Sequence, residues 1–181
     1  MLEGKTVNLR IMEKEDLPLF VECANKPEVF GEYNPLHQMS KAEAEKMLEN
    51  SDIKPFIIEK KDGTKVGFIF HFHVLHMGTG TKQLEVGYTL VPNERGKGYG
   101  TEALAIIVDY LFLSKDIMRI QAQTDQRNVA SHKVLEKAGF KKEGTLRNNF
   151  FMRGEWTDDY IYSIIREEWK EPRILTRISP K

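Results

Sequence analysis

Val7, Leu9 and Ile11 alternate with polar neighbours and predict a first strand with one buried face. Over residues 16–24 the apolar positions become Leu17, Phe20, Val21 and Ala24, which is helical spacing. Residues 30–38 contain Gly31, Asn34 and Pro35 and predict a loop. Ser40 with Glu43 three positions later is a capping-box pattern and starts a second helix. Residues 55–60 form a short strand, and Asp62-Gly63 is a tight-turn signal. The next strand, 65–75, places Phe68, Phe70, Phe72 and Val74 on one face. Gly78 and Gly80 mark a turn, and 83–91 carries Leu84, Val86, Tyr88 and Leu90 on one side. Consecutive strands on short turns predict an antiparallel meander.

The period then changes. Residues 98–113 show Leu104, Ile107, Val108 and Leu111, an amphipathic helix. Residues 117–124 are a strand with Ile120 and Ala122 inside it. Residues 128–138 are a helix stopped by Gly139. From Phe140 the chain returns to strand, and Arg153-Gly154 turns it into a last strand over 156–165. The class is mixed α/β. From Glu167 onward, Pro172, Pro180, Lys170, Arg173, Arg177 and Lys181 predict a loose basic surface segment.

Composition narrows the class without giving a function. The chain has 181 residues, 40% apolar and 30% charged. At roughly 100–200 residues per domain this is one domain, expected over 1–169 with a tail over 170–181. No repeat or linker divides it. The lone Cys23 cannot form an internal disulfide and reads as a small buried apolar residue. Lys and Arg number 27 and Asp and Glu 27, which excludes a chain-wide nucleic-acid footprint and disfavours an RNA-binding module. No apolar run approaches the roughly 20 residues of a bilayer span, and the first residues lack a signal-like apolar stretch. A cytoplasmic protein with neither membrane nor nucleic acid as partner is expected, as monomer or homodimer.

The junction between strand 83–91 and the long helix carries chemistry. It reads Arg95-Gly96-Lys97-Gly98-Tyr99-Gly100-Thr101. Its alternating glycines remove the Cβ atoms that would hold a ligand off the backbone. The helix behind them offers unpaired N–H groups and partial positive charge. Together these make an anion cradle whose usual occupant is phosphate, with Arg95 and Lys97 at the rim. The dinucleotide fingerprint needs its third glycine one residue later. The Walker pattern needs Ser or Thr where Gly98 stands, and Gly where Val91 stands. Neither standard nucleotide loop is met, and a solvated Gly-rich turn is the bland alternative.

This loop resembles the acetyl-CoA loop of the GNAT acetyltransferase superfamily, Arg/Gln-x-x-Gly-x-Gly/Ala, at every specified position. A second stretch, from Asn128 through Ser131, Leu135, Gly139 and Phe140, is similar to that superfamily's Asn-x-x-Ala/Ser helix ending in Gly-Phe. Leu84-Glu85-Val86-Gly87-Tyr88, Glu143-Gly144 and Trp156-Thr157-Asp158-Asp159 resemble its RimJ/RimL-like branch. The resemblance runs from the first strand to about Trp169. It implies a largely antiparallel sheet of six or seven strands with about four helices, splayed between strands 83–91 and 117–124. Acetyl-CoA would lie in the splay as acetyl donor. Its pantetheine would bond the Leu90 and Val91 backbone, and its pyrophosphate the N–H groups from Gly96 to Thr101. Asn128, Ser131 and Lys133 would form the other wall. Glu102, an anion near this cradle, is expected to point away along its helix.

Acetyl transfer to an amine requires loss of a proton, because amines with pKa values of about 8 to 10.4 are charged at neutral pH. Glu85 is the candidate base, with Glu94 the weaker choice and a solvated strand-face residue the bland alternative. A backbone N–H near Val91 is the candidate donor to the acetyl oxygen. Many superfamily members carry a Tyr where Leu135 stands here, so Ser131 is the candidate donor to the leaving thiolate, as in the RimJ/RimL-like branch. Its hydroxyl has the alternative of capping its own helix. Phe30, Tyr33 and Glu85 are expected to meet the acceptor. The resemblance implies direct transfer, in a ternary complex, to an N-terminal α-amine of a protein or peptide. The alternatives are a small amine (polyamine, amino sugar or antibiotic) and a non-catalytic acyl-CoA sensor. His71 and His73 share a strand face without a third ligand nearby, and no metal is expected.

Overall fold

The computed structural model describes residues 1–49, 53–74, 83–170, 172 and 174. Leu75, His76, the turn at Gly78 and Gly80, and Arg173, Arg177, Pro180 and Lys181 lie outside these residues. In chain order the elements are β1 (Leu2–Glu3), β2 (Val7–Ile11), α1 (Leu17–Asn25), α2 (Pro27–Phe30) and α3 (Lys41–Glu49), followed by β3 (Ile53–Lys60), β4 (Lys65–Val74) and β5 (Gln83–Leu90). Then come α4 (Tyr99–Ser114), β6 (Arg119–Asp125), α5 (Val129–Lys137), β7 (Lys141–Met152) and β8 (Glu155–Ile165). The strands form one 8-stranded sheet ordered β1-β2-β3-β4-β5-β6-β8-β7. Every pairing is antiparallel except β5 with β6.

The helices divide between the two faces, and strand parity shows how. In β3, Phe56 and Ile58 join the larger core while Ile57 joins the smaller one. The larger core lies under α4 and α5, and Leu104, Ile107, Val108 and Leu111 are all buried in it as their spacing requires. The smaller core gathers Leu17, Phe20 and Cys23 of α1 and Ala44 of α3 over Ile57 and Phe68. Burial raises the Cys23 thiol to about 11. The central strands are covered on both sides, so they read as nearly continuous apolar runs. Ser40 caps α3 as expected: its Oγ accepts from Glu43 N at 3.2 Å while Glu43 Oε2 accepts from Ser40 N at 2.7 Å.

Several expectations are corrected. The described residues hold an eighth strand, β1, and a fifth helix, α2, beyond the expected six or seven strands and about four helices, because Leu2–Glu3 and Pro27–Phe30 are too brief to show a period. Ile11 ends β2 exposed, beyond the cover of the helices. His71 is no polar-face residue: it is buried beside Phe56, and burial drops its imidazole to about 4. Phe150 and Phe151 are exposed, and the Phe151 ring meets Trp156 edge-on at 5.6 Å across the β7–β8 hairpin. The segment after Glu167 is partly held, with Trp169 Nε1 donating to Asp109 Oδ1 at 2.8 Å and Ile174 N to Asp109 Oδ2 at 3.3 Å.

Candidate active site

Strands β5 and β6 run parallel over only Gln83–Arg119, Leu84–Ile120 and Glu85–Gln121, then part. The gap is a cavity of about 1010 Å³. Glu85, Tyr88 and Leu90 line its β5 wall, Ala122 and Gln123 its β6 wall, and Asn128, Ser131 and Leu135 the end under α5. Phe30 and Tyr33 from the segment after α1 and Phe150 from the β7–β8 hairpin complete it. Glu85, Phe30 and Tyr33 thus stand around one space.

Backbone pairing decides which groups β5 offers to the gap. Val91 N donates to Val66 O at 3.0 Å, and Val91 O accepts from Glu94 N. Both Val91 groups are therefore engaged within the protein, which corrects its assignment as a ligand contact and excludes its own N–H as the donor expected near it. In an antiparallel ladder the bonded residues alternate. The main-chain groups of Tyr88 and Leu90 therefore face the β6 side. Leu90 O is also engaged, by Arg95 Nε at 2.9 Å.

At the start of α4, Gly98 is the N-cap with φ 89° and Gly96 has φ 75°, left-handed values that favour glycine. A Cβ on either would meet nothing within 4 Å. Glu102 N bonds Gly98 O at 3.1 Å, so the N–H groups of Tyr99, Gly100 and Thr101 have no carbonyl inside the helix. Open space, bare backbone and unpaired N–H groups at a helix N-terminus fit a diphosphate. Gly100 differs from its neighbours: it is buried, and a Cβ there would lie 3.5 Å from the Tyr88 ring and from Leu90. Glu102 does turn away, accepting from Lys5 N and, at 2.9 Å, from Thr6 N.

The charged rim is arranged differently from expectation. Arg95 also donates from Nη2 to Val29 O, so its guanidinium ties the loop to α2 rather than standing free. Lys97 pairs with Glu94 at 2.9 Å. That hydrogen bond, with Lys60 nearby, holds the Glu94 carboxyl below its ordinary range and makes it a poor base. Lys133 is exposed on α5 and does not line the cavity.

On the opposite wall Asn128 caps α5, its Oδ1 accepting from Ser131 N at 3.1 Å. The Ser131 hydroxyl therefore need not cap, and it lies 3.2 Å from Tyr88 Oη. Burial pushes the Tyr88 phenol up to about 12. Tyr88 was read only as a core-facing strand residue. No local signal places its hydroxyl, because its partner is 43 positions away.

The sheet's other face carries a polar ribbon. Glu85 Oε2 accepts from Gln121 Nε2 at 2.8 Å and Gln123 Nε2 at 3.2 Å. Burial raises its carboxyl, the two amides oppose this, and the Asp159 charge adds to the rise. Gln123 Oε1 accepts from Asn149 Nδ2 at 2.9 Å, which also donates to Asp159 Oδ2 at 3.0 Å. Asp159 is only 3% exposed, and its Oδ1 has no hydrogen-bond partner among the described residues. Sequence reading placed Asp159 in a matching stretch but gave it no role. Among the described residues no group of three or more His, Cys, Asp or Glu could hold a metal ion, and no helix is long and apolar enough to cross a membrane.

A family model described as an acetyltransferase (GNAT) domain matches residues 6–141. The probable N-acetyltransferase YjcK of Bacillus subtilis (strain 168) is 33% identical over 180 residues, covering 93% of this chain and 98% of that protein. The spermidine N(1)-acetyltransferase of Escherichia coli (strain K12) is 25% identical over 174 residues, with 93% and 91% coverage. The solved structure of Mycobacterium smegmatis RimJ in complex with CoA-disulfide superposes with a TM-score of 0.79 at 25% identity, covering 93% of this chain and 86% of that one.

Proposed function

The chain belongs to the GNAT acetyltransferase family and is an acetyl-CoA-dependent N-acetyltransferase; on that premise we propose that it acetylates a primary amine by direct attack in a ternary complex, with Glu85 as the base. The observation that carries this is a carboxylate raised by burial, lining the cavity where β5 and β6 part. A base serves best when its pKa approaches the working pH, and burial moves Glu85 that way.

Acetyl-CoA supplies the activated thioester. The N–H groups around Gly96, Gly98 and Tyr99–Thr101 would hold its diphosphate, and the inward groups of Tyr88 and Leu90 would run beside its arm. Glu85, held by Gln121 and Gln123, takes the proton from the acceptor nitrogen. The Ser131 hydroxyl, bonded to the Tyr88 phenol, gives a proton to the departing sulfur. Leu135 is buried where many superfamily members carry a tyrosine, and Tyr88 brings a phenol from the facing strand instead.

The acceptor we assign is an N-terminal α-amine of a protein or peptide, following the RimJ/RimL-like motifs and the likeness to RimJ. The second reading, a small polycationic amine, is favoured by the carboxylates Glu28, Glu32, Glu85 and Asp159 along the cavity. Free-thiol release on a panel of peptides with varied first residue, polyamines and aminoglycosides tests both. Activity confined to peptides supports the first, and activity confined to polyamines replaces it with the second. Binding of acetyl-CoA without turnover of any amine would leave a sensor.

A further inference from the structure

Of the carboxylates lining the cavity, Glu85 and Asp159 belong to one hydrogen-bonded ribbon, and only Glu85 has a task in the reaction proposed above. Glu85 has both amide partners on the same oxygen, Oε2. Asp159 lies one side-chain relay away, through Gln123 and Asn149. Its Oδ2 is satisfied by Asn149, and its Oδ1 is buried with no donor supplied by the described residues. A buried carboxylate oxygen without a donor is costly, so it calls for a partner that the described residues do not supply. Here the side chain lines the cavity, so that group would come from the cavity.

The surroundings select its charge. The cavity-lining guanidiniums are occupied elsewhere: Arg95 on Leu90 O and Val29 O, and Arg153 on Gly31 O at 3.0 Å. Asp125 is neutralised by Arg127 through bonds of 2.8–2.9 Å. Neither Arg95 nor Arg153 therefore turns its charge on Glu85 or Asp159. We infer that Asp159 Oδ1 docks a second cationic N–H group of the acceptor, so that the preferred acceptors are diamine-like: one nitrogen is acetylated beside Glu85 while another, still an ammonium, rests on Asp159. This rests on the reading of Glu85 as the base. A peptide fits when its first or second side chain supplies the second cation.

The test compares 1,4-diaminobutane with butylamine, which has the same four-carbon chain but lacks the second nitrogen and its charge. Thiol release is measured for the wild-type protein and Asp159→Asn. Calorimetry of both amines into CoA-loaded protein gives a readout independent of turnover. Asparagine keeps the bond from Asn149 and turns the free acceptor into a donor. The wild type should prefer the diamine in kcat/KM by about tenfold or more, the scale of a charge-assisted contact. Asp159→Asn should raise the diamine KM about 10- to 100-fold more than the butylamine KM, while any change in kcat is shared by both amines and the acetyl-CoA KM stays within about threefold. Equal losses for both amines would mark Asp159 as merely structural and overturn the inference. If Asp159→Asn does not fold, a wild-type diamine-to-butylamine ratio near one overturns it alone. If no amine turns over, the catalytic reading fails by itself. Diamine heat in the wild type that Asp159→Asn abolishes would still uphold the docking site, and absent heat would refute it.

Discussion

Replacing Gly98 with alanine separates backbone strain from ligand contact. Gly98 sits at φ 89°, and a Cβ there would meet nothing within 4 Å. No clash with the protein is expected, so the folded state bears only the left-handed conformation, about 1–2 kcal/mol for a non-glycine residue. For a chain of this size that lowers Tm by roughly 2–8 °C, at about 2–4 °C per kcal/mol. Gly63 provides a matched control, with φ 83° and open space around its Cβ position, in the turn between β3 and β4 rather than at the start of α4. Gly63→Ala should therefore cost the same stability. Only Gly98→Ala should push a diphosphate off the N–H groups of the first turn of α4. Loss of one charge-assisted contact, roughly 1.5–3 kcal/mol, weakens CoA binding by about 10- to 150-fold. Thermal melts give the first quantity and calorimetric titration with CoA the second. If Gly98→Ala binds CoA as tightly as Gly63→Ala at equal Tm, the cradle is not where the diphosphate sits.

Further expectations follow from the carboxylates and the caps. Glu85→Gln should lower kcat by about 10²–10⁴ without changing CoA affinity, and it should abolish an acidic limb in kcat that lies above the usual carboxylate range. A raised acid in the fold favours the neutral form, so its contribution is lost as pH rises through the raised value; Glu85→Gln should be no less stable than the parent at neutral pH in denaturant titrations. Asp16 is the opposite case. Burial would raise it, but hydrogen bonds from Arg10 and Lys65 hold it well below the ordinary range. Asp16→Asn should cost about 2–4 kcal/mol at neutral pH, and in urea titrations the deficit should shrink as pH falls below about 4, towards the Asp16 value in the fold. Asn128→Ala should remove the α5 cap and about 1 kcal/mol, read by thermal melt.

Local chemistry was legible wherever the partner lies close along the chain. The Ser40–Glu43 box and the glycine stop after α5 both involve neighbours within a few positions, and the structure forms both. The α4 stripe was legible because one core covers it. What stayed hidden depends on residues far apart. Arg95 was read as a free cation, yet Val29 O, 66 positions away, takes its guanidinium. Asp159 gains its significance from Asn149, Gln123 and Glu85, on three other strands. Val91 was misread because strand alternation tells which side a residue faces, whereas pairing register tells which hydrogen bonds are already taken. The β7 register shift between Leu146 and Phe150 also left no periodic trace; it sets Asn149 against Gln123 and Asp159.

The grip of Glu102 on Lys5 and Thr6 bears on the order in which the chain acquires its shape. The Thr6 contact spans 96 positions, so during synthesis the β1–β2 turn lacks this fastening until α4 has been made, although β2 can already pair with β3. Contacts of such long sequence separation tend to form late. The first residues thus fasten a helix made long after them, and a bulky fusion beside Gly4, where even a methyl group would strike Glu102 and Ile106, would disturb the start of the helix that carries the glycine cradle.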